Sequence, residues 1–170
     1  MTVRTPAVTY SADNDKSTIK CTGYAEAGRY APSGMVKVKS AILKLDGEVL
    51  VSGKVVIDMP TLSQSNIEMQ THLRGKDFSD VATYPEATFV LSSVKDNAVS
   101  GTLTIKGIKQ LITLPVAITR TSDGLLLKAT LKVDRTKFNI KYNSSAYFQD
   151  LGNYAIKNEF DIDINLTCHL

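Results

Sequence analysis

The residues best suited to chemistry in this chain are a histidine and an arginine two positions apart, His72 and Arg74. An arginine presents a planar fork of donors that pairs bidentately with oxyanions, and a histidine can donate or accept a hydrogen bond. The two side chains could therefore hold the polar group of a bound molecule, such as a phosphate or a quinone. Alternatively, they tie a helix to the body of the fold through hydrogen bonds.

Arg135 is a second informative cation, because it directly follows Asp134 in a segment with strand alternation. Neighbouring side chains on a strand point to opposite faces. An inward Arg135 would be either an anchor for a ligand or the buried structural partner of a carboxylate, since an unpaired buried charge is very costly. The aromatic residues Phe138 and Tyr142 follow it and could line a cavity or close the base of the fold.

The sequence contains no motif of nucleophilic or metal-dependent catalysis. It has no G-x-S-x-G, no H-E-x-x-H and no glycine-rich phosphate loop after a strand, and Ser144 and Ser145 have no histidine near them in sequence. Cys21 and Cys168 lie near opposite ends without a C-x-x-C spacing. We expect buried thiols there, with a disulfide as the alternative, and we expect no metal, no cofactor and no enzymatic activity.

Composition and charge are those of an ordinary globular domain. Hydrophobic residues make up 43% of the 170 residues, charged residues 22%, and the net charge is +3. Because the basic residues are scattered, we expect no nucleic-acid partner. No apolar run approaches the about 18 residues of a membrane helix. Residues 1–10 lack the apolar core of a signal peptide, so the chain as written is expected to be cytoplasmic, or periplasmic if a leader was trimmed.

Alternating apolar residues predict eight β-strands, of which the closing strand is the clearest. One of its faces is apolar and the other is polar: Phe160, Ile162, Ile164 and Leu166 against Glu159, Asp161, Asp163 and Asn165. This period places one face in a dry interior and the other in water, so the aspartates are interpreted as exposed. The other strands are predicted near residues 16–24, 35–45, 48–59, 86–95, 99–105, 112–118 and 125–133.

Turn and cap signals connect these strands. Asp46-Gly47 predicts a hairpin between the second and third strands. The third strand is predicted to turn one set of side chains inward: Val49, Val51, Val55, Ile57 and Met59. One helix is predicted at about residues 62–75, with a capping box from Ser65 to Glu68 and Gly75 after its end.

Consecutive strands joined by short turns predict an up-and-down antiparallel sheet, and closure removes the exposed edges of so long a sheet. We therefore predict an all-β fold with one domain over residues 1–170, an eight-stranded antiparallel barrel with a helical insertion between the third and fourth strands. Such a barrel holds its own side chains or one small ligand. Small residues on the inward face favour an open lumen: Gly53, Ala87, Gly101 and Ala129.

Three motifs resemble those of the YceI-like proteins, a polyisoprenoid-binding family with an extended lipocalin-like barrel. They are residues 72–78 with 84–89, residues 101–108 with 114–116, and residues 134–142 with Leu151-Gly152 and the closing strand. The likeness is weaker in the first sixty residues. The family often has Trp or Phe near the position of Cys21 and a His in the following turn, where this chain has Arg29 and Tyr30. If these residues shape the mouth of a cavity, its ligand differs from the family's isoprenoids.

The resemblance implies a carrier, often a homodimer, that holds an isoprenoid, a quinone or a fatty-acid-like lipid in the barrel lumen. The residues predicted to bind this ligand are His72, Arg74, Phe78, Phe89, Leu91, Leu103, Ile105, Arg135, Phe138 and Tyr142. The competing interpretation is a structural or protein-interaction barrel with a filled lumen and no lipid ligand.

Overall fold

The computed structural model describes residues 7–144 and 155–170. Within these ranges lie nine strands, one α-helix and one 3-10 helix: β1 (Val8–Ala12), β2 (Thr18–Thr22), β3 (Ser33–Asp46), β4 (Val49–Ser63), α1 (Ile67–Arg74), β5 (Glu86–Lys95), β6 (Ala98–Ile105), β7 (Ile108–Arg120), β8 (Gly124–Asp134), the 3-10 helix (Arg135–Phe138) and β9 (Glu159–His169). Ser145 and the Leu151-Gly152 part of the third motif lie outside the described residues.

The strands close into an antiparallel barrel with eight positions around its wall. From β3 to β9 each strand pairs with the next, and β1 and β2 share the eighth position between β3 and β9. β1 pairs with residues 42–45 of β3, whereas β2 pairs with residues 33–36. The predicted eight-stranded barrel is confirmed. The division of its first strand into two segments was not predicted, because β1 is short and buries one side chain, Tyr10.

The inward faces follow the predicted alternation. In β6, Val99, Gly101, Leu103 and Ile105 are buried and alternate with half-buried residues. In β9 the buried positions are Ile162, Leu166 and Cys168. With their counterparts on other strands, these apolar side chains form one core cluster inside the barrel.

The predicted inward face of β4 is wrong at its start. Lys44 pairs with Ser52 and Leu45 pairs with Leu50, so Val51 is an extra residue in the ladder. Such a bulge moves the residues before it to the opposite face. Val51 is therefore 46% exposed and Val49, which precedes it, is 59% exposed, whereas Leu50 points inward.

One of the small inward residues does not open the lumen as predicted. A Cβ atom on Gly101 would collide with the ring of Phe89 and the carbonyl oxygen of Val90. The glycine thus makes room for a neighbouring aromatic side chain in the wall. Ala87 and Ala129, in contrast, do border empty space inside the barrel.

The helix occurs where it was predicted, between β4 and β5, but it is shorter and begins differently. Its N-cap is Asn66, whose side chain accepts a hydrogen bond from the amide of Met69, so the predicted capping box at Ser65 is wrong. The helix ends at Arg74, and Gly75 follows in an extended conformation with φ of −79°. The Nε of Arg74 donates to the carbonyl oxygen of Leu62 over 2.6 Å, which fastens the end of α1 to the end of β4.

Candidate functional site

The barrel encloses an upper chamber of about 270 Å³ at the end that α1 covers. Its wall combines strand residues such as Ile57, Ala87 and Leu103 with residues from α1, from the segment between β2 and β3, and from residues 156–157. Most of the lining is aliphatic or aromatic, which is the usual character of a pocket for an apolar ligand.

A lower chamber of about 80 Å³ lies deeper in the same lumen. All the described residues that line it are glycine, alanine or larger apolar residues, including Leu43, Phe89, Leu91 and Val99. Four residues line both chambers: Ile19, Ile57, Leu103 and Ile162. We call these four residues the waist. The described lumen is therefore not filled, and its two cavities adjoin each other at these four apolar residues.

His72 is the polar group of greatest interest in the upper chamber. Its ring is packed edge-on against Phe78 and Tyr142, with centroid distances of 5.0 and 4.4 Å. Its Nε2 atom is buried and has no hydrogen-bond partner among the described residues. A buried polar atom without a partner costs about 1–3 kcal/mol, and such atoms are rare in native structures. His72 borders the upper chamber, so a ligand there would supply the missing partner once the ring rotates to expose this atom.

Arg135 also borders the upper chamber and is only 4% exposed. It begins the 3-10 helix that follows β8, so its predicted place on a strand is wrong. Its hydrogen bonds go to main-chain carbonyl oxygens rather than to the expected carboxylate. The Nε, Nη1 and Nη2 atoms donate to Lys157, Ile140 and Ile156, respectively, over 2.9–3.1 Å. Burial lowers the pKa of Arg135, and the charges of Asp134 and Glu26 act against this change. The guanidinium thus holds two separate segments together over the end of the barrel.

The other predicted binding residues are distributed over several environments. Phe78 and Ile105 line the upper chamber, Phe89 and Leu91 line the lower one, and Leu103 lines both. The remaining predicted residues have their own partners in the fold.

Arg74, Phe138 and Tyr142 do not line either chamber. Arg74 bonds to Leu62. Phe138 is 2% exposed within the core. Tyr142 packs behind His72 and Phe78. These three residues therefore support the site rather than face its empty volume.

The segment between β2 and β3 contributes residues that the sequence argument did not include among the binding residues. Tyr24 and Tyr30 both line the upper chamber, and Tyr30 is also 61% exposed. The hydroxyl of Tyr24 donates a hydrogen bond to Asp161, which anchors the segment to β9. This bond, and secondarily the nearby Lys132, lower the pKa of Asp161 against an opposing effect of burial. The position of Tyr30 was noted from its turn, but alternation cannot show where a loop residue points.

The two cysteines are free thiols; Cys168 is buried, as predicted, whereas Cys21 is half-buried and lines the upper chamber. Burial raises the pKa of Cys21 to about 12 and that of Cys168 to about 11. Both therefore act as small apolar side chains at neutral pH. In residues 7–144 and 155–170 there is no group of three or more His, Cys, Asp or Glu side chains placed to hold a metal. A helix long and apolar enough to cross a bilayer does not occur in these ranges either.

Comparison with known proteins gives one family and several solved structures. The sequence model of the YceI-like domain matches residues 10–168. BcnA from Burkholderia cenocepacia has 26% identity and a TM-score of 0.76, with 91% of this chain and 98% of BcnA covered. A polyisoprenoid binding domain from Saccharophagus degradans has 14% identity and a TM-score of 0.72 over 94% and 97% of the two chains, and this likeness concerns the fold alone.

A relative known from its sequence is a UPF0312 protein from Yersinia pestis. It is 39% identical over 69 residues, which are 38% of this chain and 36% of the relative. The chain thus matches little more than a third of that relative's length.

Proposed function

The chain belongs to the YceI-like family, and we propose that it is a non-enzymatic carrier of an amphipathic apolar ligand held in the barrel lumen. The polar end of the ligand lies at His72, and its apolar part fills the upper chamber. An isoprenoid, a quinone or a fatty-acid-like lipid has this chemistry. The solved neighbour from Saccharophagus degradans is described as a polyisoprenoid binding domain, which supports the same class of ligand.

The observation that carries the proposal concerns His72, which borders a largely apolar chamber and whose Nε2 has no hydrogen-bond partner among the described residues. The free protein bears the cost of that buried atom, and a ligand oxygen or hydroxyl would remove it. One polar contact in apolar surroundings is what orients an amphiphile in a pocket.

The chamber is large enough for the apolar part to contribute substantially. Each buried methylene stabilises a complex by about 0.8 kcal/mol. An engineered apolar cavity of about 150 Å³ binds benzene, and the upper chamber is about 270 Å³. Several methylenes can therefore leave water there, and their sum exceeds the contribution of one hydrogen bond.

The arginines favour a small head group over a phosphate. Arg74 does not line the chamber, and its Nε is bonded to Leu62, while all three guanidinium nitrogens of Arg135 donate to carbonyl oxygens. A phosphate would need free bidentate donors, whereas a hydroxyl or quinone oxygen needs a single partner. We therefore propose His72 as the head-group residue and assign Arg74 and Arg135 to the framework of the site.

Solvent extraction of the purified protein followed by mass spectrometry tests the proposal. We expect an amphiphile with one polar end in near-stoichiometric amount. His72→Phe should lower the affinity for it by about three- to tenfold, because one hydrogen bond is lost. The same variant should leave the free protein equally or more stable, since the unpartnered nitrogen is gone. His169→Phe, at the exposed second histidine, is the matched control and should change neither property.

A clean extract, together with no uptake of fluorescent lipid analogues, would contradict the carrier proposal. Equal lipid affinity in His72→Phe and the native protein would be compatible with a carrier, but it would show that the polar end of the ligand does not bind at His72.

A second candidate function, docking of protein on the outer wall, is favoured by one exposed row of side chains. Ile42, Val90 and Leu111 are 50%, 44% and 74% exposed. Cross-strand pairing places them in one row from β3 to β7. Lys54 pairs with both Ile42 and Val90, and Thr102 pairs with both Val90 and Leu111. The family resemblance implies a homodimer, so we propose a second copy of the chain as the partner. Light scattering of the native protein and of Leu111→Glu tests this, and a monomer at all concentrations would contradict it.

A further inference from the structure

The division of the lumen at the waist has a consequence for the ligand. Ile19 and Leu103 are 1% and 5% exposed, and Ile162 is 8% exposed. Together with Ile57 they line both cavities, so they lie where the two cavities adjoin. Because buried side chains pack closely, a tail that enters from the upper chamber meets these residues before it reaches the lower chamber.

The strand β6 displays this division along one face. Ile105 lines the upper chamber alone, Leu103 lines both chambers, and Val99 lines the lower chamber alone. All three side chains are buried on the inward face of β6, and Gly101 lies on the same face between Val99 and Leu103. Each level of the lumen can therefore be altered from the same element.

We propose that the waist sets the length of the apolar tail and that the ligand is a short-chain amphiphile. This inference rests on the proposed carrier function. The engineered cavity of about 150 Å³ that holds benzene gives a scale. On that scale the upper chamber holds about eleven non-hydrogen atoms and the lower chamber about three more. A tail of about ten carbons fits above the waist, whereas a chain several times longer extends outside the barrel.

Binding of a series of 1-alkanols by isothermal titration calorimetry tests the length limit. The hydroxyl group can form the hydrogen bond to His72, and the length of the alkyl chain is varied from about six to about sixteen carbons. For the native protein we expect the affinity to rise about fourfold per methylene until the upper chamber is full, near ten carbons, and then to level off.

The Leu103→Ala variant removes part of the waist and should join the two chambers. The length at which affinity levels off should then increase by about six carbons, about three from the lower chamber and about three from the deleted side chain. Val99→Ala, on the same strand and face, enlarges only the lower chamber and is the matched control. Its levelling-off length should equal that of the native protein.

Two results would overturn the length limit while leaving the carrier proposal intact. One is an affinity that rises steadily to the longest alkanol in the native protein. The other is an unchanged levelling-off length in Leu103→Ala. If Leu103→Ala does not fold, Ile57→Val thins the waist at a half-buried position and should increase the length by one or two carbons. Binding of no alkanol at any length would refute the carrier function itself.

Discussion

The two halves of the lumen are built by different means. The lower chamber is walled by strand side chains alone, and every described lining residue there is apolar. The upper chamber also uses α1, the segment between β2 and β3, and residues that follow the 3-10 helix, and it includes His72 and Arg135. The alternating strand residues of the barrel thus enclose the apolar cavity, whereas the polar residues that could select a ligand come from segments at one end of the barrel.

An arginine stabilises each end of the barrel, but in different surroundings. At the lower end, Arg120 donates to the hydroxyl of Tyr10 over 2.9 Å and to the carbonyl oxygen of Gly47 from an exposed position. At the upper end, Arg135 is buried and donates to three carbonyl oxygens. We call the hydrogen bonds of Arg120 the lower clamp and those of Arg135 the upper clamp. The lower clamp is exposed to solvent and the upper one is buried, and substitutions can measure how much each contributes to stability.

The largest expected effect is that of Leu103→Arg, which places a charge at the junction of the two chambers. An unpaired buried charge is among the most destabilising changes, and we expect a loss of more than about 4 kcal/mol or no folded protein. Thr102→Arg, on the outward face of the same strand, is the control and should change stability by less than about 0.5 kcal/mol. Urea unfolding followed by circular dichroism compares them. Native stability of Leu103→Arg would mean that the inward face of β6 has been misassigned.

A smaller effect is expected at the two arginine clamps. Arg135→Met leaves three carbonyl oxygens without their donors and should cost about 3 kcal/mol, because their burial prevents full rehydration. Arg120→Met at the exposed lower end should cost about 1 kcal/mol or less. Urea unfolding of the two variants tests the comparison. Equal losses of unfolding free energy in the two variants would show that burial does not make the upper clamp more stabilising than the lower one.

The sequence predicted the lower half of the molecule better than the upper half, for a physical reason. Period-2 alternation depends on the local pleat, so it identified the inward faces of β6 and β9 and placed Phe89, Leu91 and Leu103 inside the barrel, where they line the lower chamber. It could not identify the bulge at Val51, which depends on how β3 and β4 pair.

Contacts between distant segments account for the other differences. Arg135 was expected to need a carboxylate, but carbonyl oxygens at residues 140, 156 and 157 are brought to it by the closure of the upper end. Both Ser65 and Asn66 are good N-cap residues, so local sequence could not decide between them. His72 was identified from its residue type, but only the packed structure shows that its buried Nε2 has no partner in the part of the chain that is described.

The smallest effect is expected for Arg74→Ala, which distinguishes a framework residue from a head-group residue at the upper end. Loss of the 2.6 Å bond from Nε to Leu62 should lower stability by about 1 kcal/mol. Affinity for 1-alkanols should stay within about twofold of the native value, since the guanidinium does not line the chamber. Urea unfolding and calorimetry on the same preparation measure both quantities. Reduced affinity with unchanged stability would place the polar end of the ligand at Arg74 and outside the upper chamber, so the waist could no longer measure tail length from His72.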